Sequence, residues 1–136
     1  MENAAFKLDT FRFPKANIDF SKAKKKNEID VEFIPAGKFK ESNSLFELTL
    51  GIKINFNQSD TPAIEITCIA EYSFREKISF NDIPQYFYSN SIAILFPYIR
   101  AFISNLSLQA NYPALILPTL NMTKLGIELK EKSFVH

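Results

Sequence analysis

Apolar and polar residues alternate strictly from Phe46 to Phe56. Phe46, Leu48, Leu50, Ile52, Ile54 and Phe56 point one way, and Glu47, Thr49, Gly51, Lys53 and Asn55 the other. A period of two held over this length predicts a half-buried strand, because successive strand side chains leave on opposite faces. Ile64, Ile66, Cys68, Ala70, Tyr72 and Phe74 alternate in the same way with Glu65, Thr67, Ile69, Glu71 and Ser73. The intervening Asn57-Gln58-Ser59-Asp60-Thr61-Pro62 is rich in turn residues, so the two runs predict an antiparallel hairpin. Two weaker strands precede it. Ala5 to Phe13 carries Phe6, Leu8, Phe11 and Phe13 without one clean face, which predicts a bulge or break near Thr10. Pro14 should end that strand, since proline has no N–H for a ladder. Ile29, Val31 and Phe33 alternate with Asp30 and Glu32, and this strand should stop at Pro35-Ala36-Gly37.

The period then lengthens. Asn81-Asp82 can cap a short helix with Pro84 in its first turn. A break is expected near Ser89-Asn90-Ser91, before a longer helix from about Ile92 to Gln109. Ile92, Leu95, Phe96, Ile99, Phe102, Ile103 and Leu106 form one apolar stripe, which Ile94, Tyr98 and Leu108 widen. A helix apolar on more than one side must be covered on more than one side. One small sheet does not suffice, so the stripe is assigned to an oligomer interface. Pro97 should bend the helix. Asn111-Tyr112-Pro113 ends it, and Tyr112 to Leu120 reads as an extended apolar link held between prolines. Asn121 can cap a last helix over roughly Met122 to Lys132. Four strands followed by helices give an α+β class. The expected architecture is one domain over residues 1–136: a four-stranded antiparallel sheet, a broken long helix and a short C-terminal helix.

Composition narrows the chemistry. Sixteen basic residues nearly cancel fifteen acidic ones, leaving a net charge of +1 and no whole-protein field for nucleic acid or anionic lipid. The basic run Lys22, Lys24, Lys25, Lys26 reads as a solvated loop; the alternative is a site that attracts acidic polypeptide segments or nucleic acid, although the aromatic interleaving of a single-strand binder is absent. The lone Cys68 excludes an internal disulfide, and its inward position makes it a small core residue. The opening MENAAFKLDT shows no basic region followed by an apolar one, so no secretory signal is expected. The apolar run Ile92 to Tyr98 is far shorter than the roughly 20 residues that span a bilayer. These features imply a cytoplasmic protein with no direct membrane insertion. The only histidine is His136, and three glycines make no phosphate-cradling motif. No enzyme, metal or cofactor is therefore expected. The 14 phenylalanines exceed what one small core obviously needs, which points to an apolar interface.

The segment Ile94-Leu95-Phe96-Pro97-Tyr98-Ile99-Arg100 resembles the Leu-Phe-Pro-Tyr-x-Arg signature of the SecB family of export chaperones. Ile103-Ser104, Tyr112-Pro113-x-Leu115-x-Leu117, Pro118 and Asn121 look like that family's helix end, its Phe-Pro-x-Leu-x-Leu link and the start of its last helix. The resemblance spans roughly residues 6 to 132. It implies an ATP-independent holdase for unfolded polypeptides or preproteins, assembled with itself as a dimer of dimers with its long helices between sheets. It also implies hand-over of clients to the SecA motor.

The family's client groove is walled by the link after the long helix, the last helix and the loop after the first strand. Carried over, the groove candidates are Phe20, Phe33, Ile34, Phe39, Tyr112, Leu115, Leu117, Leu120 and Leu125. Each competes with plain burial in the core. Phe20 and Phe39, flanked by polar residues, are expected to be exposed. The family meets SecA through acidic positions that align near Asn17, Ser21, Glu65 and Thr67, of which only Glu65 is acidic. That departure favours a stand-alone holdase or a chaperone dedicated to one client; relatives associated with toxin–antitoxin systems set the precedent. A ligand-binding α+β domain is the other alternative, and it predicts one deep cavity and no tetramer.

Overall fold

The computed structural model describes residues 5–23, 28–57 and 59–136. The basic stretch Lys24 to Lys26 and Gln58 of the hairpin turn lie outside the described residues. Strands β1 (Phe6–Ile18), β2 (Ile29–Lys40), β3 (Leu45–Phe56) and β4 (Pro62–Phe74) are followed by a 3-10 turn at Phe80–Asp82. Helices α1 (Gln85–Gln109) and α2 (Met122–Glu131) come next, then a short strand β5 (Ser133–Val135). The sheet order is β1-β4-β3-β2-β5. The four long strands are antiparallel, and β5 lies parallel to β2.

The predicted antiparallel hairpin forms. Phe46 faces Tyr72, Leu48 faces Ala70, Leu50 faces Cys68 and Ile52 faces Ile66. These positions are fully or almost fully buried, and β2 extends the same face through Phe33, Pro35, Gly37 and Phe39. α1 covers this face. The ring of Phe87 stands 4.7 Å from Phe6 of β1, 4.8 Å from Phe46 of β3 and 5.0 Å from Phe74 of β4. The Tyr72 hydroxyl donates to the carbonyl of Ser91 at 2.7 Å, so its polar end has a partner inside this packing. Burial pushes the pKa of Tyr72 up, with nearby Cys68 adding to it.

Three local expectations are corrected. β1 does not end at Pro14 but runs to Ile18. Its register slips between Leu8 and Thr10, as predicted, and again between Arg12 and Lys15. Pro14 lies in the second irregularity, where no ladder N–H is required. β2 does not stop at Pro35-Ala36-Gly37. The Gly37 N–H points away from β3, toward Lys132. Two residues earlier, the missing N–H of Pro35 would point the same way, to the sheet's outer edge, so its absence leaves the β2–β3 ladder whole. α1 has no break at Ser89-Asn90-Ser91 and begins at Gln85, behind Pro84. Ser89 and Ser91 donate their hydroxyls back to the carbonyls of Tyr86 and Tyr88, so both stay within the helix. β5 had no counterpart in the sequence reading and makes the sheet five-stranded.

By length and composition alone α1 is apolar enough to cross a membrane. Its buried side chains, including Phe87, Ile92, Leu95, Ile99 and Ile103, lie in the chain's own core, and that accounts for much of its apolarity. Cys68 is also fully buried, and burial pushes its thiol up to about 11, with Arg12 acting weakly the other way. Only the thiolate reacts. At pH 8, labelling of the folded protein by DTNB should be at least roughly a hundredfold slower than in 8 M urea. Equal rates would mean the β3–β4 core opens freely.

Candidate functional site

The edge of β2, the end of the interhelical link and α2 enclose an open cavity of about 420 Å³. Its apolar wall is Val31 and Phe33 from β2, Pro118 and Leu120 from the link, and Leu125 from α2. Glu32, Lys124 and Glu128 stand at its rim. Local chemistry fixes each wall. The Asn121 side chain accepts the Lys124 N–H at 3.0 Å and starts α2 where the link ends. Gly126 lets α2 approach α1, since a Cβ there would lie 2.8 Å from the Ser89 nitrogen. The outward alternation that places the Gly37 N–H on the edge also places there those of Ile29, Val31 and Phe33. Among the described residues none bonds to these groups, so one flank of the cavity is a row of backbone groups available to an extended chain.

The structure brings together Phe33, Leu120 and Leu125 from the predicted groove. Phe20 and Tyr112 meet elsewhere, with rings 4.7 Å apart, and Phe20 also neighbours Phe56. The expected exposure of Phe20 and Phe39 is corrected: Phe20 is 7% exposed and Phe39 0%. Phe39 takes an inner-face position opposite Phe46 and is covered by the Phe80 ring of the 3-10 turn. Phe20 lies under Tyr112 at a tight turn closed by the Ala23 N–H donating to the Phe20 carbonyl. Ile34 leaves β2 on the face opposite Phe33, against Gly51, so the two cannot line one groove. Leu117 is buried, Leu115 half-buried and Tyr112 exposed. The sequence reading missed Val31 and Pro118 as lining residues. It also missed Ile116, which at 82% is the most exposed large apolar side chain among the described residues. The link is an unbroken apolar run from Ala114 to Leu117, so no alternation in the sequence singles out Ile116.

The stripe assigned to an oligomer interface is corrected in part. Ile92, Leu95, Phe96, Ile99 and Ile103 are buried within the single chain, and Phe102 and Leu106 are half-buried against it. Phe102 stacks on Phe13 of β1 at 4.0 Å. The sheet's inner face is broad enough to absorb this stripe alone. The residues that widened it, Ile94, Tyr98 and Leu108, are the ones left exposed.

On the other face of the sheet Asn17 pairs in register with Glu65, and Thr67 pairs with Lys15. Ser21 sits beyond the end of β1, donating both its N–H and its hydroxyl to Asp19. Those two bonds hold the exposed Asp19 carboxyl below its usual range. Asp19 places an exposed acid just beyond the end of β1. Two further acids of this face have cationic neighbours: Glu65 lies 3.8 Å from Lys53 and Glu71 4.0 Å from Arg12, while Glu47 stands in register opposite Glu71. Among the described residues no cluster of three potential metal ligands occurs.

The sequence profile of the family described as Preprotein translocase subunit SecB matches residues 7–132. This chain belongs to the SecB family. A protein of Methanocaldococcus jannaschii of uncharacterised function is 32% identical over 90 residues, or 65% of this chain. The match spans 56% of that relative, little more than half its length. The fold is also that of a Mycobacterium tuberculosis SecB-like chaperone solved in complex with a ChAD peptide from the HigA1 antitoxin. The two share a TM-score of 0.69 at 19% identity, over 85% of this chain and 88% of that one. The SecB-like signature in α1 has a physical reading here. Leu95, Phe96 and Ile99 face the core, while Pro97, Tyr98 and Arg100 face out. Tyr98 lies against Phe11 at 4.6 Å, and the Arg100 guanidinium sits 4.8 Å over the Phe96 ring.

Proposed function

We propose that this chain is an ATP-independent holdase that binds unfolded polypeptides in the cytoplasm. The observation that carries the reading is the open cavity between the β2 edge and the Pro118–Leu125 segment. An apolar client side chain enters between Phe33, Leu120 and Leu125, and each Å² of apolar surface removed from water stabilises the complex by roughly 25 cal/mol. The client backbone pairs with Ile29, Val31 and Phe33, which gives affinity without sequence preference. Weak contacts repeated along one client add through effective concentration. The exposed side of α1, with Ile94, Tyr98 and Leu108, is the face a second copy covers, and this supports self-association into a dimer of dimers.

The clients are either preproteins for export or one dedicated partner such as an antitoxin. Of the positions aligned with the motor contact, Asn17, Ser21, Glu65 and Thr67, only Glu65 is acidic, and Lys53 stands beside it; this favours the dedicated partner, because it weakens the acidic field there for a motor protein to read. Light scattering and an aggregation assay without ATP test the reading together. A mass near four times 15.6 kDa with protection of an unfolded client supports it. A monomer that leaves the client to aggregate removes it and revives the ligand-binding alternative. Tight, salt-sensitive binding to the host SecA would reassign the clients to preproteins.

A further inference from the structure

We propose that β5 is a resident strap: a strand of the chain itself that occupies one end of the client-binding edge of β2 and yields to a longer client. This inference rests on the holdase reading.

The seat of β5 is built. Gly37 comes so close that a Cβ there would stand 2.3 Å from the Ser133 hydroxyl. That hydroxyl is itself held by the Leu129 carbonyl at 2.6 Å. The Gly37 N–H donates to the Lys132 carbonyl, and the His136 N–H donates to the Phe39 carbonyl at 2.7 Å. The hold is nonetheless light. Only Gly37, Lys38 and Phe39 pair with β5, and its apolar side chains Phe134 and Val135 remain 56% and 47% exposed. A strand kept by a few backbone bonds with little apolar burial is drawn from the low-stability end of a fold.

Its position gives the strap its role. The open stretch of β2 from Ile29 to Phe33 and the strapped stretch from Gly37 to Phe39 lie on one edge, with Pro35 between them. Pro35 has no N–H to offer, so neither occupant loses a bond at the boundary. A client segment of about five residues, roughly 17 Å in extended form, fits the open stretch without touching β5. A longer segment reaches Gly37 and has to displace it. Apparent affinity for long clients is then reduced by the fraction of molecules in which the strap is seated.

The test compares the full chain, a chain ending at Lys132 and the double variant Lys38→Cys/Phe134→Cys. Lys38 and Phe134 are register partners, so oxidation can lock the strap. The probe is fluorescently labelled, reduced and carboxymethylated α-lactalbumin, with affinity read by anisotropy and strap release by hydrogen exchange at the His136 amide. We expect the shortened chain to bind about fivefold more tightly, and the oxidised variant to bind more weakly than its own reduced form. The His136 amide should lose protection when the client binds. Equal affinities throughout with unchanged His136 protection would overturn the strap and leave the holdase reading standing. Absence of binding by every protein would overturn both. The oxidised and reduced forms are one polypeptide, so that comparison decides the matter even if shortening lowers stability.

Discussion

Combining Phe33→Thr with Leu120→Asp should weaken client binding about a hundredfold. Both side chains line the cavity beside the β2 edge, and both are half-buried with an apolar face left to the opening. Covering one such side chain stabilises a complex by roughly 1.5–3 kcal/mol. Losing two of them, with a carboxylate placed in the groove, removes about 2.7 kcal/mol or more, which is the hundredfold stated. Thr at position 33 preserves strand propensity, and position 120 lies outside both helices. The thermal midpoint should therefore fall by no more than about 8 °C. Ile34→Thr is the control. It alters the neighbouring residue of the same strand on the opposite face, and affinity should stay within about twofold. Anisotropy titration of reduced, carboxymethylated α-lactalbumin reads all three. If Ile34→Thr were as damaging as the double variant, the client would lie on the outer sheet face and the groove assignment would be wrong.

The division between what the sequence disclosed and what it hid follows from the range of the interactions involved. The β3–β4 hairpin was legible because alternation is written into one continuous segment and both strands are buried on the same face. The link and the Asn121 cap were legible for the same reason: proline and asparagine act on their own backbone. The prolines in strands misled because their effect depends on which way a missing N–H would point, and that is set by the neighbouring strand. Pro35 faces an edge and Pro14 sits in a bulge, so neither ends its strand. Phe39 misled because its polar flanks describe the other face of β2, while its own cover, Phe80, comes from a turn some forty positions later. The site was half legible. The family resemblance points to Phe33, Leu120 and Leu125, and these line one cavity. Ile34 follows Phe33 along β2, and the period of two puts it on the opposite face of the sheet. β5 was invisible because three residues carry no periodicity. Its evidence is the fit of Ser133 to Gly37, which only the assembled sheet reveals.

Phe87→Ala should be among the most destabilising single substitutions in the chain, at about 4 kcal/mol. The side chain is fully buried, and its ring meets five others: Phe6, Phe46, Tyr72, Phe74 and Tyr88, all with centroids within 5.7 Å. Truncating a buried Phe to Ala costs about 3–5 kcal/mol, counting the cavity left behind. This cavity is walled by strands from three positions in the sheet and by α1 itself, so no single element can move to fill it. The expected fall in thermal midpoint is about 15 °C. A single domain holds only about 5–15 kcal/mol in total, so the variant should also unfold at much lower guanidinium concentration. Phe87→Leu keeps most of the volume and should cost less than about 1.5 kcal/mol. The pair of variants therefore separates loss of packing from loss of aromatic edge contacts. The consequence reaches the groove. Phe87 anchors the first turns of α1 to the sheet, and two residues later Ser89 is the surface on which Gly126 seats α2. A loosened start of α1 should widen the gap between α2 and β2, raising the exchange rates of α2 amides before those of β3 and β4. If Phe87→Ala cost less than about 1 kcal/mol, or if α2 exchanged no faster than the sheet, then α1 would not be what holds the groove wall in place.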